Sequence, residues 1–256
     1  MINKNKITQN RLLPALALTT MLTGCASTQL RNQANYDTVL PKETIEAILE
    51  ASVKLEIEYI VAEDNEPTVS IYAGVCSGTV LYDQRNKQNY VLTAEHCCPP
   101  EETFEGKQIL GPKISVDNHY AEVVKKNRDY DLALLKLSTG NLSYFNGKIA
   151  ESVEIGEIIA GASFPQNLFE TLFKGHVAAK DHSEAAGLLD NEIRTVFDGH
   201  IDMGSSGAGV YVFQGNQMFL VGVVQGTYHS DGLRGMAPVL HLREFFKNSD
   251  LEDEYL

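Results

Sequence analysis

Apolar and polar residues alternate along much of the chain after residue 50. In SVKLEIEYIV, residues 52–61, positions 53, 55, 57, 59 and 61 are apolar, and this period of two is typical of a strand with one buried face. The same rhythm predicts further strands in VSIYAGVCSGTVLY, NYVLTAE, KISVDNHYAEVVKKN, DLALLKL, EIIAGASF, FKGHVAA, IRTVFDG, AGVYVF, FLVGVVQG and MAPVLH. Many short strands separated by polar turns predict an all-β sandwich or barrel rather than βαβ units.

Two short segments have a helical period instead. In PKETIEAILEA, Ile45, Ile48 and Leu49 are spaced to share one face of a helix, and Pro41 suits its start. LREFFK, at 242–247, predicts a second short helix near the end of the chain. The acidic segment that follows it, 248–256, is interpreted as a solvated tail.

The first 24 residues have the pattern of a secretory signal. A start with three basic residues and no acid precedes LLPALALTTML, an apolar run too short to span a bilayer. LTGC, residues 22–25, resembles a bacterial lipobox, in which the cysteine is lipidated and becomes the first residue of the mature chain. A plain signal peptide with a chance cysteine is the alternative. Lipidation of Cys25 predicts anchoring to a bilayer of the bacterial envelope. Ala26 replaces the aspartate that retains some lipoproteins at the inner membrane, which favours the outer membrane.

Length, charge and cysteine content narrow the function classes. The 256 residues suit one large or two small domains. A formal net charge of -13 argues against non-specific nucleic-acid binding, which needs a basic surface. Export would place Cys76, Cys97 and Cys98 in an oxidising compartment, where disulfides persist. A metal site is the rival interpretation of the cysteines, but the chain has no CxxC pair and no clustered histidines. We therefore predict no metal and no cofactor.

Three short motifs follow one another in the chain. LTAEHC contains His96, DYDLALLKL contains Asp131, and DMGSSGAGV contains Ser206. Together and in this order, they resemble the motifs of the chymotrypsin-fold (trypsin-like) serine peptidases, bacterial type, over residues 50–247. The resemblance implies an all-β fold of two antiparallel six-stranded barrels. Their predicted bounds, with the flanking segments, are 25–49 for a tether and short helix, 50–148 and 149–247 for the barrels, and 248–256 for the tail.

The resemblance also implies a role for each motif residue. His96 is the base that takes the proton of Ser206, the nucleophile, and Asp131 orients the imidazole. The N–H groups of Gly204 and Ser206 form the oxyanion hole. GSSG offers two serines, but only Ser206 fits the G-x-S-G register. Ser205 stands where the vertebrate digestive enzymes have an aspartate that captures a new N-terminus, so activation of that kind is not expected.

The same resemblance assigns a role to the cysteines. It implies a disulfide between Cys76 and Cys97 with Cys98 free, although Cys98 could compete for Cys76.

His200, six residues before the serine, occupies a position often at the base of the specificity pocket, so a preference for Arg or Lys is not supported. A histidine there could favour acidic side chains, but a solvent-facing histidine is the commoner outcome. Gly226 and Thr227 are expected near the substrate backbone.

The sequence thus predicts a lipid-anchored serine endopeptidase that acts on proteins or peptides through an acyl-enzyme. Two rivals remain open. One is a catalytically silent homologue that binds peptides or partners on the same fold, and the intact triad argues against it. The other is a structural envelope lipoprotein in which the motifs are coincidental.

Overall fold

The computed structural model describes residues 39–62, 69–100, 103–104, 107–138, 142–182, 194–215, 217–227 and 233–256. Helix α1 (Lys42–Ala51) begins directly after Pro41, whose carbonyl accepts hydrogen bonds of 3.1 Å from the N–H groups of Thr44 and Ile45. Ile48 on this helix is fully buried. The helix predicted from the apolar spacing is therefore confirmed.

The first barrel forms because the alternating pattern gives each strand one apolar face. Val53 and Leu55 of the first strand are buried, whereas Lys54 and Glu56 between them are partly exposed. The strands of this barrel are β1 (Ser52–Ala62), β2 (Val69–Asp83), β3 (Gln88–Thr93), β4 (Thr103–Phe104), β5 (Lys107–Val116), β6 (His119–Asn127) and β7 (Leu132–Leu137). Six of them are neighbours in the order β1, β2, β3, β7, β6 and β5, and β1 also pairs with β5, which closes a ring of six and leaves β4 outside it.

The second barrel has the same antiparallel construction. Its strands are β8 (Lys148–Ile149), β9 (Ile158–Ser163), β10 (Thr171–His182), β11 (Arg194–Gly199), β12 (Gly209–Gln214), β13 (Gln217–Thr227) and β14 (Leu233–Met236). The ring runs β12, β9, β10, β11, β14 and β13, and a β12–β13 pairing closes it. The short β8 lies outside the ring, parallel to β13, and the predicted division after residue 148 falls inside it. The prediction of two six-stranded barrels is confirmed.

The end of the chain differs from the sequence prediction in two ways. MAPVLH does not form a strand, because β14 ends at Met236 and Pro238 directly precedes α2 (Val239–Phe246). Proline cannot donate to a strand ladder and is well suited to a helix start, so the chain changes to a helix here. At this helix the Lys125 ammonium of the first barrel donates to the Phe245 carbonyl. Among the described residues, no helix is long and apolar enough to cross a membrane.

The acidic segment 248–256 is not the solvated tail that its charge predicted. It contains α3 (Glu252–Tyr255), and both Leu251 and Tyr255 are buried. These two apolar residues lie four positions apart, on one face of a helical turn, and the acids occupy the remaining positions. The Tyr255 hydroxyl accepts a 2.8 Å hydrogen bond from the Tyr82 N–H of the first barrel. The tail is thus a docked part of the fold.

Candidate active site

His96 lies where a buried strand gives way to an exposed turn. Strand β3 is buried from Asn89 to Thr93, and a 3₁₀ turn over Glu95–Cys97 follows it. The side chain of His96 is 44% exposed at this turn. The strand therefore fixes the histidine backbone in the barrel wall while its ring remains accessible to a substrate.

Asp131 receives two separate hydrogen bonds from His96. The His96 backbone N–H donates to Oδ1 at 2.9 Å, and its ring Nδ1 lies 2.8 Å from Oδ2 and 3.0 Å from Oδ1. Asp131 is only 6% exposed. Its φ of +49° lies in the left-handed region, which aspartate tolerates better than most residues. The carboxylate thus holds both the histidine backbone and the ring, and it favours the tautomer with the proton on Nδ1.

The carbonyl that precedes Asp131 is held by residues that the motifs did not indicate. Gln225 of the second barrel donates from Nε2 to the Tyr130 carbonyl at 2.7 Å, and its side chain is buried. The Tyr130 ring stacks on the His241 ring with 4.4 Å between centroids. Only proximity in three dimensions identifies Gln225 and His241, since neither lies within a recognisable motif.

The two serines of GSSG face different surroundings. Ser205 is fully buried, and its hydroxyl lies 3.0 Å from that of Ser163 and accepts from the Asp202 N–H at 3.3 Å. Ser206 is partly exposed. The turn therefore buries Ser205 and leaves Ser206 as the more exposed of the two serines.

The loop that carries Ser206 crosses from the second barrel to the first. The Ser206 carbonyl accepts a 2.8 Å hydrogen bond from the Ser77 N–H of β2. The same oxygen lies 3.7 Å from Cys97 Sγ, a van der Waals contact because this sulfur is bonded to Cys76. Since Cys97 directly follows His96, the structure brings the Ser206 backbone to within one residue of the histidine.

Two backbone donors lie in this loop without a hydrogen bond. Within the described part of the chain, neither the Gly204 N–H nor the Ser206 N–H donates to another group. Gly204 has a φ of +95°, and a Cβ there would lie only 2.5 Å from the Phe164 carbonyl oxygen, so glycine is required. The Gly204 and Ser206 N–H groups are therefore available to an oxyanion.

At the start of this loop, the Asp202 carboxylate accepts a hydrogen bond from the Met203 N–H and one from Gln166, whose effect is smaller. These two bonds hold the pKa of the Asp202 carboxyl below its usual value.

The cysteines near His96 separate into one pair and one thiol. Cys76 and Cys97 form a disulfide with 6.1 Å between their Cα atoms. Cys98 is free and buried, and its burial, with a smaller effect from Glu95, raises the pKa of its thiol to about 12. The bridge joins β2 to the histidine turn, and the thiol of Cys98 stays protonated at neutral pH.

A groove of about 490 Å³ opens beside Gly204. The ribbon of β1 and β2 contributes Glu56, Glu58 and Val75, and the turn before the serine contributes Met203. Met203 is 81% exposed at its edge. Gly204, one of the two residues whose N–H donates to no other described group, thus faces an open groove.

The residues predicted to determine specificity are His200, Gly226 and Thr227. His200 is exposed after β11 and makes no hydrogen bond or ion pair with another described residue. Gly226 pairs with Gly235 on β14, and Thr227, whose backbone alone is described, pairs with Arg234. A Cβ on Gly226 would lie 3.8 Å from Nη1 of Arg194. No motif in the sequence indicated this buried arginine.

Over the described ranges, no group of three or more His, Cys, Asp or Glu side chains is placed to hold a metal ion. Cys25 lies outside the described residues.

Comparison with known proteins agrees with the two-barrel fold. The family model of the trypsin-like peptidase domain matches residues 76–223. No curated protein matches the chain in sequence. The solved structure of the HtrA-type protease AlgW with a decapeptide is 18% identical to the chain, with a TM-score of 0.63 over 80% of this chain and 65% of that one. The crystal structure of the serine endoprotease from Yersinia pestis is also 18% identical, with a TM-score of 0.55 over 85% of this chain and 70% of that one. At this identity the two structures show a shared fold, and the chain spans about two thirds of the length of each.

Proposed function

Because the chain belongs to the trypsin-like peptidase family, we propose that it is a serine endopeptidase in which Ser206 attacks the substrate carbonyl. The observation that carries the proposal is the double attachment of His96, backbone and ring, to the buried carboxylate of Asp131. A serine hydroxyl is a poor nucleophile at its free pKa and needs a base beside it. His96, held in this way, is suited to that role.

The chemistry follows from where the protons lie. With its proton on Nδ1 toward Asp131, His96 has a free lone pair on Nε2 to accept the Ser206 proton during attack. The carbonyl oxygen becomes an anion and is stabilised by the N–H groups of Gly204 and Ser206, each worth about 2.7–4 kcal/mol in the transition state. His96 then protonates the leaving amine, and water hydrolyses the acyl-enzyme. Activity is expected to fall in acid, because a protonated imidazole cannot accept the serine proton.

The test compares the two serines of the loop. Wild type, Ser205→Ala and Ser206→Ala are treated with a fluorophosphonate probe and with casein. Label and cleavage should survive in Ser205→Ala, which serves as the matched control, and vanish in Ser206→Ala. Labelling of the Ser206→Ala protein would contradict the assignment of the nucleophile. A wild type that never labels would favour a silent, peptide-binding homologue.

We also propose that the protein is a lipoprotein of the bacterial envelope, anchored through Cys25 and preferentially at the outer membrane. The proposal rests on the signal-like start and on LTGC at residues 22–25. A diacylglycerol supplies two acyl chains, which is enough for stable attachment, whereas one chain binds only marginally. Cys25→Ser should release the protein or block its maturation, and Cys98→Ser should leave it in the membrane fraction. Recovery of wild type as a free, unacylated protein would refute this.

A further inference from the structure

Every polar group of Ser77 makes a hydrogen bond, and three of these four bonds join the first barrel to the second. Ser77 is fully buried in β2 and directly follows the disulfide-bonded Cys76. Its hydroxyl donates to the Gly204 carbonyl at 2.8 Å and accepts from the Phe164 N–H at 3.0 Å. Its N–H donates to the Ser206 carbonyl, and its own carbonyl accepts from the Thr93 hydroxyl, each at 2.8 Å.

These bonds fix the peptide unit that lies between the two proposed oxyanion donors. The Gly204 carbonyl and the Ser205 N–H belong to one planar peptide. Ser77 holds its carbonyl end, and the Asp202 carbonyl holds its N–H end at 2.9 Å. Gly204 has no Cβ, so its backbone can rotate more freely than that of either serine beside it. Without the Ser77 hydroxyl, this peptide loses the only side-chain bond to its carbonyl oxygen in the described part of the chain.

We propose that Ser77 is a positioning residue through which the first barrel sets the direction of the Gly204 and Ser206 N–H groups. The inference rests on the proposed peptidase function. Ser77 is buried behind the loop and acts only through the backbone that it holds. Its effect should therefore appear in the transition state, where the oxyanion forms, and not in the binding of the uncleaved peptide.

The test measures Ser77→Ala against a peptide substrate and a peptide aldehyde, which forms a tetrahedral adduct with the serine. We expect kcat to fall about 10–100-fold, as for a donor displaced rather than deleted, with KM within about twofold. The inhibition constant of the aldehyde should rise by a similar factor. In a Ser206→Ala background, the Kd of the uncleaved substrate should be the same with and without Ser77→Ala.

Ser52→Ala is the matched control. Ser52 is also buried, on the neighbouring strand, and its hydroxyl donates to the Ile48 carbonyl at 2.8 Å, away from the serine loop. It should lower stability while leaving kcat and aldehyde affinity unchanged.

A Ser77→Ala protein with wild-type kcat would overturn the proposal, as would equal losses in substrate and aldehyde affinity. If Ser77→Ala does not fold, Ser77→Cys decides, since it keeps a weaker donor of similar size: a reduced kcat supports the proposal and a wild-type kcat overturns it. Failure of the proposed function is distinct, because wild type itself would then neither cleave nor label.

Discussion

Replacing Asp131 by asparagine changes one of the two atoms that hold His96, and the structure indicates which one. The His96 backbone N–H lies 2.9 Å from Oδ1 and cannot change its role as a donor, so the amide oxygen must remain there. The amide nitrogen would then stand 2.8 Å from the ring Nδ1, where Oδ2 now accepts. The retained oxygen lies 3.0 Å from Nδ1 but already accepts from the backbone N–H. At the closer contact two N–H groups would face each other unless the imidazole moves its proton to Nε2.

The cost of this change falls on catalysis and not on the fold. Asparagine tolerates the left-handed φ of +49° about as well as aspartate does, whereas alanine would add about 1–2 kcal/mol of strain. With its proton on Nε2, His96 cannot accept the proton of Ser206. We therefore expect kcat to fall about 10⁴-fold, which corresponds to about 5 kcal/mol in activation free energy.

The assay measures kcat on a peptide substrate together with the thermal midpoint of unfolding. Asp129→Asn is the matched control, because Asp129 is exposed in the same turn and its substitution removes the same charge. The control should keep kcat within about twofold of wild type, and both variants should unfold within a few degrees of it. A folded Asp131→Asn protein with kcat within about tenfold of wild type would refute the role given to this carboxylate, provided that Ser206→Ala is inactive.

Three further predictions concern the surroundings of the site. Tyr255→Phe should lower the free energy of unfolding by about 1–2 kcal/mol, because the Tyr82 N–H loses its acceptor. Tyr255→Ala should lower it by about 4–5 kcal/mol, because the buried ring is lost as well. Urea titrations in which neither variant differs from wild type would contradict a docked tail. Gly207→Ala should abolish fluorophosphonate labelling, since its Cβ would overlap atoms of the first barrel at a φ of +86°, whereas Gly215→Ala, with open space at its Cβ, should label normally. Burial raises the pKa of Cys98 from 9.0 to about 12, so the unfolded thiol ionises first and stability is lost as pH rises. The loss between pH 9 and 10 should be about 1 kcal/mol, and chemical denaturation should find it absent in Cys98→Ser.

The barrels were predictable because burial acts on every second residue of a strand. The pattern from Val53 to Val61 carries this signal directly, and the order of the three motifs distinguished two barrels from a sandwich. The docked tail was not predictable in the same way. The segment has only three apolar residues, Leu251, Tyr255 and Leu256, and the hydrogen bond that docks Tyr255 comes from Tyr82, which is far away in sequence.

Some residues of the candidate site could also be predicted from the sequence, and others could not. His96, Asp131 and Ser206 lie in motifs whose chemistry requires those residue types, and so they could be named from the sequence. Ser77 and Gln225 act through backbone carbonyls of other segments, and their residue types resemble those of any strand position. Spacing could not decide between Cys97 and Cys98 as the partner of Cys76, because adjacent sulfurs lie within a few ångströms of the same atom.

The division of the site between two barrels has a consequence for the order in which the site is assembled during synthesis. His96 and Asp131 belong to the half of the chain that is synthesised first, and Ser206 arrives only with the second half. The serine loop then depends on Ser77 for its shape, so a half-made chain has neither the nucleophile nor a loop held in place. A peptidase built in this way stays inactive until the second barrel has been synthesised and its serine loop has docked on the first.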